Sequence, residues 1–261
     1  MNLDLSNKVA LVCGSTQGIG LATAKELALL GANIVLVARD ETKLKEVKGI
    51  LANNGNQNHH YIKADFNFPP ELKLRVAAFI SEVSAIHILI NNTGGPNGGA
   101  IIDAKSSEFI NAINMHLISY HNLVSICIEG MRKEKYGRII NIISTSVKQP
   151  LNGLGVSNTV RGAVASWAKT LANELGDNIT VNNVLPGATN TIRLKSIIKN
   201  KANKLGKSSA QVIEDMKNQV PLKRIAEANE VANAVAFLAS PAAAYINGIN
   251  LPVDGGRTKS L

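Results

Sequence analysis

The sequence has little cysteine. Cys13 and Cys127 are its only two, and both sit inside apolar segments. They form no disulfide framework and read as small buried hydrophobes in a reducing, cytoplasmic compartment. No Cys/His cluster has metal-ligand spacing, which argues against a zinc site. No apolar run approaches the roughly 20 residues that a bilayer-spanning helix needs. The opening MNLDLSNKVALVCG lacks a basic region followed by a long apolar stretch, the mark of a secretory signal. Aromatic residues are scarce, at 4%, and no basic patch is interleaved with them as nucleic-acid binding would require. No linker, repeat or low-complexity tract interrupts the 261 residues, so residues 1–261 read as a single domain.

What is present is apolar bulk and positive charge. Hydrophobic residues make up 45%, enough for a substantial core. Net charge is +9, and residues 193–224 hold nine basic against two acidic side chains, which places +7 of it there. Such a run is either a solvated lysine-rich helix pair or a surface that attracts an anionic partner. Nucleic-acid binding through it is the weakest alternative, and a steep salt dependence would be its signature.

Short apolar runs alternate with helical patterns. Strands are expected near 8–13, 33–38, 59–64, 87–92, 138–144, 178–186 and 248–256. Helices are expected near 18–31, 41–54, 70–84, 104–110, 111–133, 154–175, 191–218 and 227–239. Apolar strands separated by helices imply a parallel sheet of about seven strands covered on both faces, a Rossmann-type doubly wound α/β fold. Its ligand sits beyond the carboxyl ends of the strands. Residues 190–225 read as a mobile, lid-like insertion over one edge.

CGSTQGIG (13–20) follows the first strand and opens the first helix. Its glycines allow a tight turn, and the helix N-terminus offers free N–H groups to a pyrophosphate. Gly14, Ser15, Gly18, Ile19 and Gly20 are therefore candidate nucleotide contacts. The second strand ends Ala38-Arg39-Asp40. A guanidinium there suits a 2′-phosphate and favours NADP(H) over NAD(H). Asp40 leaves two alternatives open, pairing with Arg39 or binding the ribose itself. The loop NTGGPNGGA (92–100) is either a flexible connection or backbone that approaches a ligand closely.

These motifs, with others downstream, resemble the short-chain dehydrogenase/reductase family along nearly the whole chain. Asp65 matches the acid that contacts adenine, and NNTG (91–94) resembles the family's NNAG element, with Asn91 and Gly94 as cofactor contacts. PGATNT (186–191) matches PGxxxT, so Pro186, Gly187 and Thr191 are expected at the nicotinamide end. INGINLPVDGG (246–256) resembles the terminal signature. Asn114 falls where the family has its active-site asparagine, and Ser144 where a serine orients the substrate carbonyl. The nearest style is that of 3-oxoacyl-acyl carrier protein reductases of fatty acid metabolism. The resemblance implies a carbonyl substrate, small or thioester-borne, with acyl carrier protein or CoA received by the basic stretch, and a homo-dimer or homo-tetramer.

One element departs from the family. Its Tyr-x-x-x-Lys pair would begin thirteen residues after the serine, yet Ser157 and Arg161 stand there. A serine hydroxyl is a far weaker acid than a phenol. Arginine stays protonated, so it holds a ribose hydroxyl or developing negative charge but relays no proton. The candidate catalytic set is thus Asn114, Ser144, Ser157 and Arg161, with Arg161 also a cofactor contact. Tyr120, His116, His121, Tyr245 and Lys148 are the possible substitutes, and none is obvious. By helical spacing, His121 shares the face of Asn114. Two functions stay open: a divergent NADP(H)-dependent reductase with an altered proton donor, and a nucleotide-binding protein without turnover.

Overall fold

The computed structural model describes residues 1–55 and 57–260. Seven strands form the sheet: β1 (Val9–Cys13), β2 (Asn33–Ala38), β3 (His60–Lys63), β4 (Ile88–Asn91), β5 (Gly137–Ile142), β6 (Ile179–Pro186) and β7 (Asn250–Val253). All pair in parallel, in the order β3-β2-β1-β4-β5-β6-β7. The chain works outward from β1 in one direction and then from β4 in the other. The crevice at this reversal is where a doubly wound sheet takes its ligand.

The helices are α1 (Gly18–Leu29), α2 (Glu41–Gly49), α3 (Pro69–Glu82), α4 (Ser106–Ile113), α5 (Ser119–Lys133), α6 (Gly155–Glu174), α7 (Ile192–Leu205), α8 (Ser209–Asn218) and α9 (Ala228–Ala239). Strand residues alternate between two cores. Val9, Leu11 and Cys13 pack with Leu72 and Val76 of α3, Leu123 of α5 and Val164 of α6. Ala10 and Val12 pack on the other face, with Leu27 of α1, Leu44 of α2 and Val231 and Val235 of α9. Both faces are therefore dry, which is why these strands carry little polar patterning.

Four asparagines of the sheet form one row. Asn91, Asn141, Asn183 and Asn250 occupy matched positions on β4, β5, β6 and β7. Each of the first three donates through Nδ2 to the Oδ1 of the next, at 2.8 Å every time. A buried amide is tolerated when its hydrogen bonds are made, and the row makes them strand to strand. Both side-chain amide groups are used at Asn141 and Asn183, whereas Asn91 Oδ1 has no partner.

Three sequence expectations change. The helical stretch expected near 191–218 is divided into α7 and α8, separated by Gly206 in the left-handed conformation (φ 62°) and restarted by a Ser208–Gln211 capping box. Leu194, Ile198, Ala202 and Val212 give this pair a small core of its own. The helix expected near 41–54 ends at Gly49. The helix expected across 111–133 begins with a π turn, Asn114–Ile118. That turn breaks the 3.6-residue period, so the seven-residue spacing from Asn114 fails. His121 is exposed and sits against Trp167, with ring centroids 6.4 Å apart.

Candidate active site

The carboxyl ends of the strands open into a cleft of about 700 Å³. One end is built by the first turn. Gly14 and Gly18 have positive φ, 59° and 55°. A Cβ on Gly20 would lie 2.2 Å from the Gly14 carbonyl oxygen, so only glycine lets α1 start this close to β1. Gln17 caps α1 without a side-chain hydrogen bond, and the first turn carries no acid. The free N–H groups there have no internal competitor for an anion, and the helix dipole adds a partial positive charge. These features fit a dinucleotide diphosphate.

Arg39, Asp40, Lys43 and Asp65 line the cleft beyond β2 and β3. Asp40 is occupied: its Oδ1 accepts from the Lys43 N–H at 3.1 Å and caps α2, and Lys43 Nζ lies 3.6 Å from Oδ2. Among the described residues it makes no ion pair with Arg39, so the pairing that the sequence left open is not the one formed.

The other end gathers Ser144, Ser157, Arg161 and the loop Thr93–Gly95. Ser144 ends β5's outward path, and its Oγ accepts from the Ser146 N–H at 3.1 Å. With an acceptor position filled, its own proton is left to donate to a substrate oxygen. Ser157 and Arg161 lie one turn apart on α6. Arg161 is 8% exposed and donates from Nη1 to the Ile142 carbonyl at 2.7 Å. Burial, opposed by nearby Tyr120 and reinforced by the charge of Arg193, draws its basicity down.

Of the residues singled out in the sequence, Gly14, Gly18, Ile19, Arg39, Asp65, Gly94, Ser144, Ser157, Arg161, Pro186, Gly187 and Thr191 line this one cleft. Four stand behind its wall. Ser15 is fully buried with Oγ 3.4 Å from the Val37 carbonyl. Gly20 acts through its lack of a side chain. Asn91 belongs to the asparagine row. Asn114 heads the π turn, where its carbonyl accepts from Ser119 Oγ at 2.9 Å, while Met115 reaches the cleft. Missed were Thr16, Gln17, Lys43, Thr189 and Arg193, all lining residues. Thr16 and Gln17 were signalled by their place inside the glycine turn; Arg193 carried no local signal.

The phenol's place is filled by no obvious substitute. Among the described residues, the cleft is lined by no tyrosine or histidine, and Lys43 is its single lysine. Tyr120 and His116 sit together behind the wall, Oη to Nδ1 3.5 Å, both buried. Burial drives the Tyr120 phenol far above its ordinary range, despite the nearby Arg161 charge. Burial and then the Arg161 charge hold the His116 imidazole neutral. Tyr245 is fully exposed.

The comparisons agree with this architecture. Residues 14–258 match the family model described as enoyl-(acyl carrier protein) reductase. The chain is 32% identical over 257 residues to the 3-oxoacyl-(acyl-carrier-protein) reductase FabG of Vibrio cholerae, covering 97% of this chain and 98% of that protein. It is 34% identical over 251 residues to a granaticin polyketide synthase putative ketoacyl reductase of Streptomyces violaceoruber, covering 95% and 92%. The L-sorbose reductase of Gluconobacter frateurii, solved with NADPH and L-sorbose, superposes with a TM-score of 0.92 at 32% identity, over all of both chains. YwfH, an NADPH-dependent reductase involved in bacilysin biosynthesis, superposes with a TM-score of 0.92 at 28% identity, over 98% and 100%. With a glycine turn under the first helix, a β1/β4 switch-point cleft and relatives of this kind along its whole length, the chain belongs to the short-chain dehydrogenase/reductase family of oxidoreductases.

Proposed function

We propose that the protein is an NADP(H)-dependent carbonyl reductase whose proton donor differs from the family's. The carrying observation is that Ser144, Ser157 and Arg161 share one cleft with the glycine turn. The nicotinamide, when bound, supplies a hydride. The residues of this chain orient and stabilise. The Ser144 hydroxyl donates to the carbonyl oxygen. The buried Arg161 guanidinium supports the ribose and the negative charge that develops as the carbonyl is reduced. With no phenol lining the cleft among the described residues, the proton comes from water, for which Ser157 is a hydroxyl at hand.

Arg39 supports the choice of NADP(H), because it lines the cleft while Asp40 is engaged in capping α2. Three acids within or just beyond the basic stretch pair locally, Asp215 with Lys207, Glu214 with Lys217 and Glu230 with Arg224. The lysines of α7 remain to draw anionic substrates, carrier-borne or CoA-linked thioesters included, toward the cleft.

The test is steady-state oxidation of NADPH and of NADH with a short 3-oxoacyl thioester and a set of free ketones. Turnover with NADPH exceeding that with NADH is expected. Arg39→Ala should weaken NADPH by about 10- to 100-fold, the worth of a charged hydrogen bond or two, and leave NADH nearly unchanged. Rates equal to the buffer blank on every carbonyl would overturn the reading. Replacing Ser157→Tyr and Arg161→Lys together should raise the rate in a scaffold that is otherwise competent.

A further inference from the structure

Among the described residues, the reactive end of the cleft holds two guanidinium groups and no acid. Arg161 comes from α6 and Arg193 from the first turn of α7, which are far apart in the sequence. Both turn toward Gly95. Their Nη2 atoms lie 3.7 and 3.6 Å from the point that a Gly95 Cβ would occupy, and with Arg193 Nε at 3.9 Å they are the three heavy atoms nearest to it. Arg161 donates to the Ile142 carbonyl and Arg193 to the Pro96 carbonyl. Neither is paired with a carboxylate among the described residues.

This arrangement is costly without an anion. A guanidinium this buried normally has a carboxylate beside it. Burial first, and then the charge of a second cation, Arg193, weakens its hold on the proton. The cleft's two lining aspartates, Asp40 and Asp65, follow β2 and β3, on the opposite side of the β1/β4 reversal. They cannot neutralise a pair that sits over β5 and α6. Each guanidinium keeps N–H groups free of protein acceptors, in the planar fork that matches a carboxylate.

Resting on the reductase reading, we propose that Arg161 and Arg193 form a receptor for a carboxylate on the substrate, so that the preferred substrate class is a small oxo acid. Ser144 lines the same end of the cleft, so a carbonyl adjacent or nearly adjacent to the clamped carboxylate is presented to its hydroxyl. A 3-oxoacyl thioester carries no carboxylate at that distance and makes a poorer substrate. The other anion able to meet Arg193 is the cofactor diphosphate, since Thr191, two residues earlier, lines the cleft as well.

The test is calorimetric titration of the full-length protein, alone and loaded with NADP+, with 2-oxobutanoate and with its methyl ester. Neither probe is reduced under these conditions, so binding is read apart from turnover. The acid is expected to bind about tenfold tighter than the ester or better, the worth of a charge-assisted hydrogen bond. Arg193→Gln, at an exposed position where folding is not in question, should collapse that ratio, and Arg193→Lys should restore part of it. Equal affinity for acid and ester overturns the proposal. So does a weakened affinity for NADP+ in Arg193→Gln with the acid-to-ester ratio intact, which would assign the arginine to the diphosphate. Acid preference in a protein that fails to bind NADP(H) would uphold the receptor and sink the reductase reading instead.

Discussion

Replacing Asn141→Ala cuts the asparagine row in its middle, and its cost can be worked from the structure. Asn141 accepts from Asn91 Nδ2 and donates to Asn183 Oδ1, both at 2.8 Å, and all three residues are at most 3% exposed. The substitution leaves one buried donor and one buried acceptor without partners. Each orphaned group costs about 1–3 kcal/mol, so the loss should be about 4 kcal/mol. For a chain of this size that corresponds to a fall in Tm of roughly 8–16 °C. Asn250→Ala is the internal control. It removes only the acceptor of Asn183 Nδ2, at the half-buried end of the row where water can take its place. Its cost should stay below about 1 kcal/mol. Urea unfolding of the two variants and the parent, at one protein concentration and without nucleotide, gives the comparison. Costs for Asn141→Ala and Asn250→Ala that agree within error would refute the view that the row's interior is bound by mutual satisfaction.

Gly20→Ala should abolish measurable NADPH binding and destabilise the fold, since its methyl would meet the Gly14 carbonyl oxygen at 2.2 Å and Asn92 Nδ2 at 2.7 Å. Fluorescence titration with NADPH and a thermal melt check it, and parental affinity would contradict the close approach of α1 to β1. Stability should fall as pH drops below about 6.5, because His116 is held neutral in the fold, by burial first and the Arg161 charge second, while the unfolded chain takes up the proton. The sign follows from the unfolded state binding more protons on the acid side, so His116→Gln should flatten the slope of unfolding free energy between pH 7 and 5. His60 and His87 have their own depressed basicity and should keep part of the slope.

Much of the site was legible because its residues are punctuation within regular elements. Gly14, Gly18 and Ile19 announce themselves by lying between an apolar strand and a helix, and Arg39 by ending the second strand. Ser144, Ser157 and Arg161 were legible through ordered motifs. The asparagines of β4 to β7 were not legible as a row. Asn91 reads as part of a loop motif, and its strand partners lie 50 to 159 positions away along the chain. Arg193 reads as one charge in a basic run.

By itself the sequence determined the strands, the helices that cover them and the turn that starts α1. These depend on apolar periodicity and on glycine's backbone freedom, which are properties of neighbours along the chain. Only the tertiary structure decided that Asp40 caps α2 rather than pairing with Arg39, that Tyr120 and His116 are buried behind the cleft wall, and that two guanidiniums converge over Gly95. Those outcomes depend on where distant segments pack, and on the charges and carbonyls that packing brings within a few ångströms.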